Sequence, residues 1–327
     1  MAGSGGLKRG GDEPSGDDGR SDRETPSVRG LADALSRAIR GRPAVELVLV
    51  AVPLPALLVV VAVMPGSEAW ALSLSATGVF ESRWTLWTAF ASSFVHTDPS
   101  HLLDNVVNYW LVVAVAYPLS VIAGWQRRLL YAAVIFLLVV PLVSAWATLL
   151  AFGGALDAPA AGFSDVNSAF LGYLVVVWFA ALASESAGEI RGTKQTRDVT
   201  RSVAGRATAG GVDVRWSVVV AFGSLAFVFV SPSGAGYFPP TPTVAILFAT
   251  VAAVTAGFLW ARTGTPRLAG LDLAAARELL YVTGASVVVA GVIGSLVIVP
   301  LGSNVFAHLA GYAVGVSTAF VWVIADA

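Results

Sequence analysis

Long apolar stretches separated by short polar segments fill the chain from residue 44 to residue 325. An α-helix needs about 20 predominantly apolar residues to cross the roughly 30 Å hydrocarbon core of a bilayer. The stretches that approach or exceed this length are 44–64, 101–123, 128–151, 164–183, 216–231, 242–261, 278–300 and 304–325, and 216–231 is the shortest. The pattern therefore predicts an all-α polytopic membrane protein with about eight transmembrane helices.

The pattern before residue 44 is different. Residues 1–28 are rich in Gly, Ser, Asp and Arg. We expect them to be disordered, because they cannot bury enough apolar surface to offset the loss of chain entropy. In residues 29–42, Leu31, Leu35 and Ile39 recur every four positions between arginines. This spacing fits either a short amphipathic helix on anionic lipid headgroups or a solvated linker.

The composition agrees with a membrane protein and excludes several kinds of site. Of the 327 residues, 56% are hydrophobic and 13% are charged, and the mean hydropathy is +0.75. An average soluble domain has about 25% charged residues. The chain has no cysteine, so disulfides, thiolate nucleophiles and cysteine metal sites are excluded. A net charge of −1 without a basic patch gives no indication of nucleic-acid binding.

Basic residues lie on alternate connections between the predicted helices. If the N-terminus is cytoplasmic, every lysine and arginine except Arg83 falls in a cytoplasmic segment, as the positive-inside rule requires. We therefore expect both termini in the cytoplasm and the helices in the cell membrane. The chain then divides into a basic N-terminal segment, 1–43, and a transmembrane domain, 44–325. Within that domain, residues 184–262 supply a cytoplasmic loop and an extra helix pair.

Three polar residues fall at the same predicted depth. His101, Ser164 and His308 each lie near the external end of a predicted helix. A serine becomes a nucleophile when a base takes its proton, and the same base can later protonate a leaving amine. Taken singly, a serine at a helix start is usually a cap, and a histidine in a span is often a packing or hydrogen-bonding residue.

Asn105 lies four residues after His101, so the two side chains share one face of the predicted helix. Both can donate a hydrogen bond to the oxyanion of a tetrahedral intermediate, and one such donor typically contributes about 10²–10³ in rate. The backbone N–H of Ser164, at a helix start, is a further donor. An asparagine in a span also commonly holds neighbouring helices together.

These residues belong to three motifs. In chain order the motifs are His96-x4-His101-x3-Asn105, Gly162-Phe163-Ser164 and Ala307-His308-Leu309-Ala310-Gly311-x3-Gly315. Together they resemble the motif set of the rhomboid intramembrane serine proteases, over roughly residues 44–183 and 278–325. The resemblance implies a rhomboid-like bundle with a six-helix core, and cleavage of transmembrane substrates by a Ser–His dyad without a third, acidic residue.

The resemblance also implies a role for each matched residue. Ser164 is expected to be the nucleophile and His308 the general base. His101 and Asn105 are expected to stabilise the oxyanion. Residues expected to shape the cavity or the helix packing are His96, Gly162, Gly311 and Gly315. The last two fit this role physically, because small residues let two helices approach closely.

The chain departs from the family pattern at three points. Asp165 follows the serine where the family usually has glycine or alanine, and a carboxylate at mid-membrane costs about 2.5–3.5 kcal/mol. This aspartate could tune His308, cap the helix or mark a changed site. Ser168 stands where many members have a tyrosine that packs on the catalytic histidine. Three predicted helices, rather than one, separate the serine helix from the histidine helix.

The expectation from these observations is an intramembrane serine endopeptidase with a water-accessible cavity that opens to the outside. Its partners would be single-span transmembrane substrates and the lipid bilayer. No cofactor, metal or nucleic acid is expected, and the oligomeric state is left open. Asp165 and Ser168 also fit a rhomboid-like pseudoprotease that binds membrane helices without cutting them. A transporter with a polar relay is a further alternative, although the spans lack paired acids and visible inverted repeats.

Overall fold

The computed structural model describes residues 28–154, 158–197, 212–231, 241–264, 275–298 and 303–325. The prediction of disorder for residues 1–28 therefore lies outside the described residues, except for Val28. Within these ranges the chain is almost entirely helical. The helices are α1 (Val28–Ile39), α2 (Ala44–Ala51), α3 (Pro53–Val63), α4 (Arg83–Ala91), α5 (Pro99–Ile122), α6 (Gln126–Phe152), α7 (Ser164–Arg197), α8 (Trp216–Val230), α9 (Pro242–Thr263), α10 (Ala275–Val292) and α11 (Val305–Ala325).

Two short strands join the segments that precede α4 and α7. Strand β1 (Leu72–Ser73) pairs antiparallel with β2 (Pro159–Ala160), with Leu72 opposite Ala160. This pairing ties the connection between α3 and α4 to the backbone that leads into Ser164.

Seven spans in the described part of the chain are long and apolar enough to cross a membrane. This confirms the prediction of an all-α polytopic membrane bundle. The one predicted span that is not among these seven is 216–231. It corresponds to α8, which has 15 residues. At 1.5 Å per residue it is about 22 Å long, shorter than the hydrocarbon core.

The prediction of a loop from residue 184 is wrong for its first residues, which are helical. Helix α7 continues to Arg197, whereas its apolar part ends at Glu185. The extension, residues 186–197, has four charged residues and no proline, so nothing in it breaks the helix although it is too polar for a bilayer. The apolar pattern located the end of the span but not the end of the helix.

Prolines and caps explain where the first helices break or begin. The first span consists of α2 and α3. They are separated at Val52 because Pro53 has no backbone N–H to donate to a carbonyl of the preceding turn. Helix α5 begins at Pro99, with Asp98 accepting from the backbone N–H of Ser100 and of His101. Helix α4 was not predicted from the sequence, because it has no pronounced apolar face.

Helix α1 covers residues for which the sequence left two interpretations open. It is helical and packs across α10 and α5. Leu35 and Ile39 contact the main hydrophobic core. The solvated-linker interpretation is therefore wrong for this segment.

Helix α7 lies at the centre of the bundle. It packs against α5, α6, α10 and α11, and its residues from Asp165 to Val177 are buried. The extra helices α8 and α9 pack on each other, and α8 also packs on α7. Ser224 of α8 and Tyr312 of α11 share a hydrogen bond of 2.9 Å between their hydroxyls. The extra pair therefore contacts the bundle at α7 and α11 through α8.

Candidate active site

The structure brings Ser164 and His308 into direct contact. Ser164 is the first residue of α7, and His308 lies in the first turn of α11. Oγ of Ser164 and Nε2 of His308 are 2.7 Å apart. The two residues are 144 positions apart in the chain and meet at the same end of the bundle.

The second ring nitrogen of His308 has a partner that fixes the tautomer. Nδ1 lies 2.7 Å from the backbone carbonyl oxygen of Ser295. A carbonyl can only accept a hydrogen bond, so Nδ1 must carry the hydrogen. In the neutral ring Nε2 then has a free lone pair, which accepts the hydroxyl hydrogen of Ser164. This is the tautomer that a general base requires.

A widened turn at the end of α10 makes this carbonyl available. Residues Ile293–Val297 form a π-helical turn, in which the N–H of Ile298 bonds to the carbonyl of Ile293. The chain leaves the helix at Ile298. The last carbonyls of a helix have no N–H partner within it, so Ser295 is able to accept from a side chain.

A chain of hydrogen bonds joins the first histidine to Asn105. His96 is buried, and burial together with nearby His101 lowers its pKa to about 4. Its Nδ1 faces the carbonyl of Phe94 at 3.3 Å, and its Nε2 lies 3.0 Å from Nδ2 of Asn105. The neutral ring therefore donates through Nδ1 and accepts through Nε2.

Asn105 is held from three sides. Its Nδ2 also donates to the carbonyl of His101 at 3.2 Å, so both of its N–H groups are used. Its Oδ1 and its backbone oxygen accept from Nδ2 of Asn167, at 3.2 and 2.9 Å. An oxyanion would have to draw one N–H of Asn105 away from His96 or from the His101 carbonyl.

His101 has a more open environment. Its ring forms no hydrogen bond with another described residue, and it packs edge-on to His96 with 5.2 Å between the ring centroids. Gly162 lies against it with a φ of 128°, and a Cβ at this glycine would be 2.5 Å from Cε1 of His101. Glycine is required here both by the backbone conformation and by the histidine ring.

Asp165 points away from His308 into a separate polar cluster. It is 3% exposed. Its Oδ2 accepts from the hydroxyls of Ser93 at 2.7 Å and Ser144 at 2.5 Å. Its Oδ1 accepts from the backbone N–H of Val166 at 2.7 Å. The carboxyl group thus ties the start of α7 to α6 and to the turn before α5. It makes no hydrogen bond to the imidazole of His308.

Glycines set the spacing between the serine helix and the histidine helix. A Cβ on Gly311 would collide with the backbone oxygen of Asp165, and a Cβ on Gly315 with that of Ala169. The two helices are therefore in backbone contact one and two turns below the dyad. Ser168 of α7 donates to the carbonyl of Ser164 at 2.8 Å.

Two cavities flank Ser164. The polar cavity has a volume of about 620 Å³ and reaches from the β-strands and α6 to the start of α7. The apolar groove has a volume of about 390 Å³ and runs between α5 and α10. Ser164 and His101 line both of them. His308 lines the groove.

The structure therefore brings most of the residues predicted for the site to one end of the bundle: His96, His101, Asn105, Gly162, Ser164 and His308. Gly311 and Gly315 follow one and two turns further along α11. The sequence did not indicate Ser93, Ser144, Asn167 or Ser295. Asn167 could have been found from the sequence, since a polar residue three positions after Ser164 in an apolar run needs a hydrogen-bond partner. The hydroxyl partners of Asp165 lie on other segments, and the role of Ser295 belongs to its backbone, so no motif could reveal them.

Comparison with protein-family models, with curated proteins and with solved structures finds no match to this chain.

Proposed function

We propose that this protein is a rhomboid-like intramembrane serine endopeptidase that hydrolyses peptide bonds in single-span transmembrane substrates. The observation that carries the proposal is the pair of 2.7 Å contacts of His308, one to Oγ of Ser164 and one to the carbonyl of Ser295. They give the histidine the orientation and the tautomer of a general base without an acidic third residue.

In the first step Oγ of Ser164 attacks the carbonyl carbon of the scissile peptide bond. Nε2 of His308 takes the hydroxyl proton as the new C–O bond forms. The carbonyl π electrons move to oxygen, and hydrogen-bond donors stabilise the resulting oxyanion. The ring N–H of His101 and the backbone N–H of Ser164 have no other acceptor among the described residues, so we propose them as the first donors.

The C–N bond then breaks, and His308 gives its proton to the leaving amine. The product is an ester between Ser164 and the N-terminal part of the substrate. A water molecule attacks this ester while Nε2 of His308 takes a proton from the water. The second intermediate then collapses: the bond between the carbonyl carbon and Oγ of Ser164 breaks, His308 returns the proton to Oγ, and the acid is released. The polar cavity beside Ser164 is a route by which water can arrive.

The orientation in the membrane belongs to the same proposal. The distribution of lysine and arginine favours cytoplasmic termini in the cell membrane, which places the dyad end of the bundle outside. The substrate segment would then enter from the external side of the bilayer.

A non-catalytic rhomboid-like protein that binds membrane helices is the second candidate. One observation favours it: both N–H groups of Asn105 are already donated to protein acceptors. Such a protein would keep the groove but would not form a covalent adduct at Ser164.

A small fluorophosphonate probe separates the two candidates. Attack by Oγ of Ser164 forms an O–P bond and expels fluoride, while His308 takes the serine proton. We expect the purified chain to be labelled and the Ser164→Ala and His308→Ala variants to remain unlabelled. Cleavage of a model transmembrane substrate should follow the same order. Absence of wild-type labelling, or labelling that survives Ser164→Ala, would overturn the endopeptidase proposal.

A further inference from the structure

Two buried hydroxyl residues of α6 contact both segments that carry the dyad. Ser144 and Thr148 lie one turn apart and are 3% and 2% exposed. Oγ of Ser144 is 2.5 Å from Oδ2 of Asp165, the residue that follows Ser164. Oγ1 of Thr148 is 2.6 Å from Nδ2 of Asn304, the residue that precedes α11. One face of α6 therefore holds the start of α7 and the start of α11 side by side.

The hydroxyl of Thr148 makes two hydrogen bonds of opposite sense. It accepts from the side-chain N–H of Asn304 and donates to the backbone carbonyl of Ser144 at 2.7 Å. A hydroxyl group can accept and donate at once, whereas a methyl group of the same size can do neither. The link between α6 and the start of α11 therefore depends on the threonine oxygen and not on its volume.

Asn304 passes this support on to the turn that contains His308. Its Oδ1 accepts from the backbone N–H of Ala307 at 3.2 Å, so its side chain caps α11. Its backbone carbonyl accepts from the N–H of His308, also at 3.2 Å. The two ends of one side-chain amide thus have different tasks. The oxygen closes the first turn of α11, and the nitrogen fastens that turn to Thr148.

The dyad needs such a support because both of its members lie at helix ends. Helix termini open more readily than helix centres. The backbone contacts of Gly311 and Gly315 fix the approach of α11 to α7, but they lie one and two turns away from the dyad. A displacement of about 1 Å at either helix end would take the 2.7 Å contact between Ser164 and His308 out of hydrogen-bonding range.

We propose that Thr148 and Asn304 are positioning residues, which hold the first turn of α11 level with the start of α7 and so set the distance between Oγ of Ser164 and Nε2 of His308. This inference rests on the proposed endopeptidase function. Both residues act through the backbone that carries the dyad. The protonation state of Asp165 is not part of the inference, because a carboxyl group and a carboxylate can both bond to the hydroxyl of Ser144.

Three substitutions isolate the link. Thr148→Val removes the hydroxyl and keeps the shape of the side chain, whereas Thr148→Ser keeps the hydroxyl. Asn304→Ser keeps a good helix cap but has no side-chain N–H to donate to Thr148. The matched control is Thr250→Val in α9. Its hydroxyl also donates to the carbonyl four residues earlier, that of Ile246 at 2.7 Å, and it lines neither cavity beside Ser164.

The first measurement is the rate at which the small fluorophosphonate labels the full-length chain in detergent. We expect labelling to be about 10- to 100-fold slower in Thr148→Val and in Asn304→Ser, because a misplacement of about 1 Å can cost about 10²-fold in rate. Thr148→Ser should recover most of the rate. The double variant should be no slower than the slower single variant, because both substitutions remove the same bond. Thr250→Val should be labelled as fast as the wild type.

The second measurement is the ¹⁵N signal of His308, which a change in stability alone would not move. The chain has three histidines, so substitution of the other two assigns the signal. In the wild type Nε2 accepts from Ser164, and in Ser164→Ala this bond is absent. In folded Thr148→Val and Asn304→Ser the Nε2 signal should move to its position in Ser164→Ala. Nδ1 should stay protonated, since its partner is the carbonyl of Ser295.

The outcomes separate this inference from the proposed function. A labelled wild type with an unchanged rate or an unchanged Nε2 signal in the two variants would overturn the inference and leave the proposed function standing. A loss of rate in Thr148→Ser as large as in Thr148→Val would also overturn it, because the hydroxyl would then be unimportant. If Thr148→Val does not fold, Asn304→Ser decides by the same two measurements. Absence of labelling in the wild type would overturn both proposals.

Discussion

The backbone carbonyl of Ser295 lies 2.7 Å from Nδ1 of His308, and this bond determines which ring nitrogen faces Ser164. Ser168 donates to the carbonyl of Ser164 and not to the histidine. The π-helical turn of α10 therefore holds the imidazole in one orientation through a backbone carbonyl.

Deletion of Gly294 tests this role. Removal of one residue from a π turn restores regular α-helical pairing, so the Ser295 carbonyl should rotate away from His308. We expect fluorophosphonate labelling to fall by about 10²-fold, at the lower end of what a positioned base contributes. The ¹⁵N signals of the histidine should also change from a single Nδ1–H tautomer to a mixture. Gly294→Ala keeps the chain length and should keep the tautomer, since the space around this glycine is open. A deletion variant that folds and retains a pure Nδ1–H tautomer would contradict the role.

Asn105 and Asn167 should act as one unit. If the oxyanion draws one N–H of Asn105 away from His96 or the His101 carbonyl, Asn105→Ala should lower the rate of substrate cleavage by about 10²-fold, the usual effect of losing an oxyanion donor. Asn167 contacts the site through Asn105, so Asn167→Ala should give a smaller loss. The double variant should be no slower than Asn105→Ala, because the effects of contacting residues are not additive. Losses that simply multiply in kcat/KM would show that Asn167 acts independently.

Glycines at the contact between α7 and α11 and a glycine in open space should differ in how a change to alanine affects the melting temperature. Gly311→Ala or Gly315→Ala places a methyl group on a backbone oxygen of α7, so the helices must separate. We expect thermal unfolding in detergent at a clearly lower temperature, by several degrees, and loss of labelling at Ser164. Gly257→Ala in α9 has no atom within 4 Å of the added methyl group and should leave the melting temperature unchanged or higher. Equal shifts in both classes would mean that the backbone contact is not important for stability.

His96 should make stability depend on pH. Burial lowers its pKa to about 4, whereas a histidine in an unfolded chain titrates near 6.5. The unfolded chain therefore binds a proton first as the pH falls. The contribution of the neutral ring is full above about pH 6.5 and is lost progressively down to about pH 4. We expect the melting temperature to drop more between pH 7.5 and pH 5 in the wild type than in His96→Gln. An identical drop in both proteins would contradict the buried neutral histidine.

The fold was largely predictable because apolar segments of membrane length have few alternative structures. The predicted boundaries failed where helix formation and membrane insertion depend on different properties. The stretch from Ser184 to Arg197 is polar yet helical, and α4 is helical without a pronounced apolar face. Hydropathy indicates whether a segment lies in lipid or in water. Caps, prolines and backbone hydrogen bonds decide where a helix begins and ends.

The site was predictable as far as its side chains follow a spaced motif. The predicted directions of the helices indicated that Ser164 and His308 would lie at one depth, and the structure places them in contact. The sequence could not show how each of them is held. Ser295 acts through its backbone, and Asp165 is oriented by hydroxyls from distant segments, so these contacts depend on packing that no local pattern records.

The backbone contact between α7 and α11 has a consequence for the surrounding lipid. Helices respond to a bilayer that is thicker or thinner than their apolar length mainly by changing their tilt. Because Gly311 and Gly315 are seated on the backbone of α7, we expect the two helices to tilt together. A change in lipid chain length would therefore reorient the dyad relative to the membrane surface without separating Ser164 from His308. Under the proposed function, membrane thickness would select which peptide bond of a substrate reaches Ser164, while the reaction at the serine stays the same.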